Sequence, residues 1–207
     1  MIEIELGNGK RMNHCLEKVL RFCQEDSSYE AYDRFDVAQD DSLSDLDILV
    51  ANNIRAGMDG RAFLTFKENR AKIQAALESL PVGVALHDPW PNEQSMWRVI
   101  QDAYVACWGH QVGPTRITKV VHKKRPRLIP LVDRVVVIGR YYKSYAGRPR
   151  VGVGGMMGVT RTIREDMITN AAALRRLQKE LEEKGISLTQ VRLFDILLWE
   201  GYPRPRQ

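Results

Sequence analysis

Apolar residues recur at three- and four-residue spacing along most of the chain, and that spacing predicts helices. Met12, Cys15, Leu16, Val19, Leu20 and Cys23 form one stripe and predict a helix over residues 10–25. Residues 26–41, DSSYEAYDRFDVAQDD, are polar and acidic and read as a loop. Ser42 or Ser44 opens a second helix through Leu46, Ile48, Leu49, Val50 and Ile54, and Gly57 ends it. Phe63, Phe66, Ile73, Ala76 and Leu77 predict a third over 61–79. Pro81, Gly83, Pro89 and Pro91 make residues 81–93 a loop.

A fourth helix is predicted from Ser95 to Trp108, with Trp97, Ile100, Tyr104 and Cys107 on one side. Pro114 sits at the favoured first position of a fifth, which stops before Pro126. Val135, Val136, Val137 and Ile138 permit a strand within 128–142, but the helical surroundings favour a helix. The glycine-rich residues 144–158 read as a flexible or tightly turning connection. A long helix follows over 160–184, Ser187 caps a last one through Trp199, and the tail YPRPRQ reads as frayed. The expectation is an all-α protein of about eight helices.

Composition adds bounds. The chain has 207 residues and 44% hydrophobic positions, enough for one unit with a substantial core. No apolar run reaches the roughly 20 residues that span a bilayer, and residues 1–15 lack a signal-peptide layout. Cys15, Cys23 and Cys107 form no paired-ligand spacing and read as reduced thiols of a cytoplasmic protein. The four His are scattered, so neither a metal nor a cofactor is expected. The run VGVGGMMG lacks the GK[ST] ending and the preceding strand of a phosphate loop.

Charge is distributed unevenly. From Pro114 to Arg150 the chain carries eleven Lys and Arg against one acid, Asp133. That window is +10 in a chain of +5, which leaves the remainder at −5. A cationic face of this kind implies a polyanionic partner. Neutralising Lys123, Lys124 and Arg125 together is then expected to flatten the salt dependence of binding.

Residues 107–121, CWGHQVGPTRITKVV, have the layout of a helix-hairpin-helix. Glycine lets the backbone approach a phosphate, and the amides of the second helix N-terminus bind it. The expected DNA contacts are Gln111, Val112, Gly113, Thr115, Arg116, Lys119, Lys123, Lys124 and Arg125. Together with LIPLVDRVVVIGR, this stretch resembles the hairpin-plus-aspartate core of the helix-hairpin-helix DNA glycosylase superfamily, with Asp133 twenty residues after Gly113. Gln111 replaces the first hairpin glycine, Thr115 stands where lyase members carry lysine, and no four-cysteine cluster follows. The chain also resembles uncharacterised bacterial proteins sharing KRPxLIPxxD and an LFDILLWE-like final helix.

The resemblance implies a two-lobed helical fold. One lobe spans about 42–143 and the other about 1–41 plus 144–207, with double-stranded DNA entering between them. It implies a monofunctional DNA glycosylase with Asp133 as the catalytic acid. The chemistry of base removal would suit repair or defence against modified phage DNA, a role that no residue specifies. The proposed chemistry flips a base out of the duplex, and the carboxylate stabilises a sugar with oxocarbenium character. Asp133 has a plainer reading as a helix N-cap or an Arg partner. Asn52, Asn53 and Trp90 are weaker candidates for base reading or wedging, with helix crosslinking and capping as the plain alternative for the asparagines. Asp195 and Trp199 read as structural. The alternative function is a non-catalytic hairpin DNA-binding protein, and an RNA-acting protein is a third reading.

Overall fold

A computed structural model describes residues 2–37, 40–147 and 152–202. The chain opens on a two-stranded antiparallel hairpin, β1 (Ile4–Glu5) and β2 (Arg11–Met12), with Ile4 opposite Met12. Ile2, Ile4 and Leu6 are buried on one face, as the period of two requires. The helix expected from residue 10 therefore starts later, as α1 (Cys15–Glu25), after His14 turns the chain at φ 57°. Acidic residues 26–41 are not all loop. Tyr29–Asp33 form a widely wound turn in which Arg34 N bonds Tyr29 O, and it buries Tyr29 and Tyr32.

A Ser44–Asp47 capping box starts α2 (Asp45–Val50), and a tight turn, Ala51–Ile54, continues it. The helix expected over 61–79 is two, α3 (Gly60–Glu68) and α4 (Arg70–Ser79), broken at Asn69. Next come α5 (Glu93–Cys107) and α6 (Pro114–Lys124), both close to expectation. Residues 129–133 form no helix or strand, and Asp133, itself extended at φ −84° and ψ 140°, caps a π-wound helix, Arg134–Tyr142. The β-branched run Val135–Ile138 crowds a regular α-helix, and the wider winding relieves that crowding.

Short α7 (Lys143–Ala146) leads to α8 (Val153–Thr169). The glycine-rich connection expected through residue 158 is thus helical from Val153 on. Gly158 serves packing, since a Cβ there would lie 2.2 Å from the Tyr142 hydroxyl. Residues 148–151, which include Arg148 and Arg150, and the tail 203–207 lie outside the described residues. The long helix expected over 160–184 breaks at Asn170 into α8 and α9 (Ala171–Glu182). Thr189, not Ser187, caps α10 (Gln190–Gly201).

The fold is mostly helical. One continuous apolar core runs from Ile4 and Cys15 through Phe66, Tyr104 and Val120 to Phe194. α1 packs on α9 and α10, while α5 packs on α4 and α6. Asp166 of α8 ties distant parts together. It accepts Gly7 N at 2.8 Å and the Tyr141 hydroxyl at 2.8 Å, and Asn170 brackets Glu5 through both its N and its O. Cys15, Cys23 and Cys107 are free thiols, and no helix among the described residues is long and apolar enough to cross a membrane.

His122 is buried beneath Tyr32, and its Nδ1 lies 2.6 Å from the Ile129 carbonyl. Burial drives its pKa down to about 3. The unfolded chain takes up a proton near pH 6.5 that the folded chain refuses. Stability held above pH 6.5 is therefore lost as pH falls toward 3, at up to roughly 1.4 kcal/mol per unit. Urea unfolding of His122→Gln over this window is expected to show a shallower acid loss than the native chain.

Candidate functional site

The hairpin forms as a tight turn between α5 and α6. Val112 N bonds Gly109 O at 3.1 Å, and Gln111 adopts φ 58°. That left-handed conformation is what a glycine would supply without strain, and Gln111 holds it through the turn. Gly109 is tightly constrained, since a Cβ would meet Thr65 at 2.5 Å, and Thr65 donates to the His110 carbonyl at 3.1 Å. Gly113 differs. Its backbone is ordinary extended chain, and a Cβ there would meet nothing within 4 Å. The neighbouring Val112 side chain is buried. Gly113 and Thr115 make no backbone hydrogen bond through their amides among the described residues, and Pro114 has none to offer. The start of α6 is thus an open set of donors on a helix N-terminus.

A cavity of about 50 Å3 lies where segments distant in sequence converge. Ile54, Arg55, Lys119, Leu131 and Asp133 line it together with Phe22, Asp26, Arg192, Asp195 and Trp199. Phe22, Asp26 and Arg55 also line an outer basin of about 320 Å3. The inner cavity has room for a water or two at roughly 30 Å3 each. The basin has the volume of a small-molecule site.

Asp133 is 6% exposed, and its Oδ1 accepts from Val135 N at 2.8 Å and Val136 N at 2.7 Å. The N-cap role and the cavity position coincide in one side chain. Lys119, on the middle of α6, is buried and donates to the Ile54 carbonyl. It lies five residues past Pro114, roughly 7.5 Å along the axis from the hairpin.

Asp195 and Trp199, read as structural from their amphipathic helix, line the same cavity. Arg192 holds Asp33 with two bonds, at 2.6 and 2.9 Å, and donates to Asp195 Oδ2. Burial acts against the Arg192 charge, but Asp33 and Asp195 outweigh it and raise its pKa. Burial lifts the Asp195 carboxyl to about 7, against the pull of Arg192. Its Oδ1 is buried without a hydrogen-bond partner. Arg55 is the other residue missed in the sequence. It stands at φ 60° on the shared rim, and its side chain makes no ion pair among the described residues.

The cation run departs most from expectation. Lys124 is almost fully buried, pairing with Asp40 at 2.9 Å and with Asp47 at 3.4 Å. Arg125 is also buried, with Asp41, the Leu80 carbonyl at 2.8 Å and the Leu77 carbonyl at 2.7 Å. Lys123 donates to the Tyr32 and Phe35 carbonyls at 2.6 and 2.8 Å. Arg116 crosses from α6 to the Ala56, Gly57 and Gln111 carbonyls and to Asp59. Lys119, Lys124 and Arg125 are therefore not surface phosphate contacts. Their burial is tolerated because acids and carbonyls between residues 40 and 80 converge on them. Arg127, Arg134 and Lys143 remain exposed.

The weak base-reading candidates are engaged elsewhere. Asn52 bonds Met58 through both ends of its amide, at 2.6 and 3.3 Å, and Asn53 donates to the Ala31 carbonyl. Trp90 is not an exposed wedge. It is buried edge-on against Trp97, its Nε1 donates to the Ala85 carbonyl, and Arg164 covers its face. No group of three or more His, Cys, Asp or Glu suited to a metal occurs among the described residues.

Residues 15–201 match a family of unknown function, DUF6308, and the chain belongs to that family. No curated protein and no solved structure matches it.

Lys124→Ala leaves Asp47 buried beside an empty site and is expected to lose roughly 3–5 kcal/mol of stability. Denaturant unfolding of this variant, and of Arg125→Ala, checks the structural role. An unchanged midpoint with weaker nucleic-acid binding would return both residues to the surface.

Proposed function

We propose that the protein is a monofunctional DNA glycosylase that hydrolyses the N-glycosidic bond of a damaged or modified base in duplex DNA. The observation that carries this reading is the shared cavity of Asp133 and Asp195, set where segments distant in sequence converge on the helix that the hairpin begins. The amides of Gly113 and Thr115 hold a backbone phosphate, and Arg55 supplies a cation at the rim. The flipped nucleotide enters the outer basin, and Arg55 and Phe22 move apart to admit its base. Asp133 stabilises the positive charge that develops on the sugar as the base departs, and it orients the attacking water. The reading calls on no metal and no lysine nucleophile.

Base release from a panel of normal, damaged and phage-type modified duplexes tests it, comparing the native chain with Asp133→Asn. Asparagine caps a helix as well as aspartate does, so the variant is expected to fold normally and lose release by about 100-fold or more. No release from any substrate by the native chain sinks the reading. The alternative, a non-catalytic hairpin DNA-binding protein, draws on the cap bonds of Asp133 and the small inner cavity. Tight duplex binding by both proteins without base release favours it.

Gly113→Ala separates the phosphate contact from the fold. The added methyl meets open space in the protein, so thermal melting is expected to stay the same or rise slightly. Duplex affinity is expected to fall about tenfold, because the methyl occupies the approach of the phosphate. Equal affinity for both proteins argues against the hairpin as the DNA grip.

A further inference from the structure

The fold explains only one oxygen of Asp195, the Oδ2 that accepts from buried Arg192, and leaves Oδ1 without a partner. Structural acids in this chain are satisfied at both ends, as Asp166 is by Gly7, Tyr141 and Tyr145. Asp195 is 3% exposed, with one oxygen on Arg192 and the other without a partner. A buried acceptor left open costs on the order of 1–3 kcal/mol. A protonated oxygen is a donor and needs an acceptor that the protein does not provide. The cavity it lines is too small for its wall groups to be more than a few ångströms from a common occupant.

The local charge arrangement favours keeping a proton there. Two buried acids, Asp33 and Asp195, share one guanidinium. Asp33 takes it with a pair of bonds, so Asp195 is the surplus carboxyl. Lys119, Arg55, Asp26 and Asp133 also face the cavity, and Tyr32 packs against Arg192 from the far side. Burial raises Asp195 to about 7, poised for proton transfer near neutral pH.

Building on the glycosylase reading, we infer that Asp195 is a general acid that protonates the departing base, and that the substrate is a neutral base rather than a cationic alkylated one. The C1′–N bond breaks, and its electron pair stays on the base nitrogen. The Asp195 proton moves to an acceptor atom of the base, which leaves neutral. Water adds to C1′, and its proton returns to the Asp195 carboxylate. Asp133 keeps its charge throughout. A base already carrying a positive charge leaves without that proton, so an acid is useful only for a neutral one. The two carboxyl groups thus divide the work, with one ionised beneath the sugar and one protonated beside the base.

The test measures base release by the native chain, Asp195→Asn and Asp133→Asn across pH 5–9. The duplexes carry either neutral modified bases or 7-methylguanine, and thermal melting monitors the fold. The native rate on a neutral base is expected to fall as pH rises through about 7. Asp195→Asn is expected to lose that alkaline fall and to slow neutral-base release by about 100-fold or more. Its loss on 7-methylguanine, if the native chain releases that base, is expected to be far smaller. Asp133→Asn is expected to slow release without removing the alkaline fall. Native activity with an unchanged pH profile in Asp195→Asn overturns the general acid while leaving the glycosylase intact. No release by the native chain on any duplex overturns both.

Discussion

Buried cations have to find anions, and in this protein that requirement organises the chain. Lys119, Lys124, Arg125 and Arg192 all sit inside the fold. A charge removed from water is tolerated only when counter-charges or carbonyl dipoles surround it. Asp33, Asp40, Asp41, Asp47 and the Ile54 carbonyl supply them. The acidic stretch after α1 is thus the internal complement of the basic stretch on α6. Part of the uneven charge of the sequence is neutralised within the molecule, while Arg127, Arg134 and Lys143 stay exposed.

The same constraint shapes the cavity. Once α6 carries Lys119 inward and α10 carries Arg192 and Asp195 toward it, a small space remains that charged and apolar side chains line together. Asp133 reaches this space because the irregular residues 129–133 end where the π-wound helix begins, and its carboxylate caps that helix from the cavity wall. Arg55 reaches the rim because a left-handed backbone turns it there after the Ala51–Ile54 turn. Of the three non-glycine residues strained at positive φ among the described residues, Arg55 stands at the rim, Gln111 in the hairpin and His14 before α1. Such strain persists only where the surroundings hold it in place.

Several features were legible in the residues alone. The 3.6-residue period located α1, α2, α5 and α6, because each buries one stripe. Pro114 marked the start of α6, and the glycine turn before it marked the hairpin. Asp133 was visible as a lone acid in an apolar, basic setting. Other signals were present and went unread. The alternation of Ile2, Ile4 and Leu6 around Gly7 and Gly9 is a hairpin pattern. The breaks at Asn69 and Asn170 lie at residues that favour helix ends. Glycine serves both turns and close packing, and here Gly152 turns the chain at φ 113° while Gly158 packs beneath the Tyr142 hydroxyl inside a helix.

Local pattern determined that the chain is mainly helical, where most helices begin, and that a hairpin precedes an isolated aspartate. Those properties follow from neighbours within a few residues. The burial of the cations, the partners of Asn52 and Trp90, and the meeting of Asp133 with Asp195 depend on contacts between segments far apart in sequence. The charge on a lysine reads the same whether it faces water or a buried carboxylate. Only tertiary packing brings Asp40 to Lys124, or α10 to Asp133, and so only the fold decided which charges face water and which line a cavity.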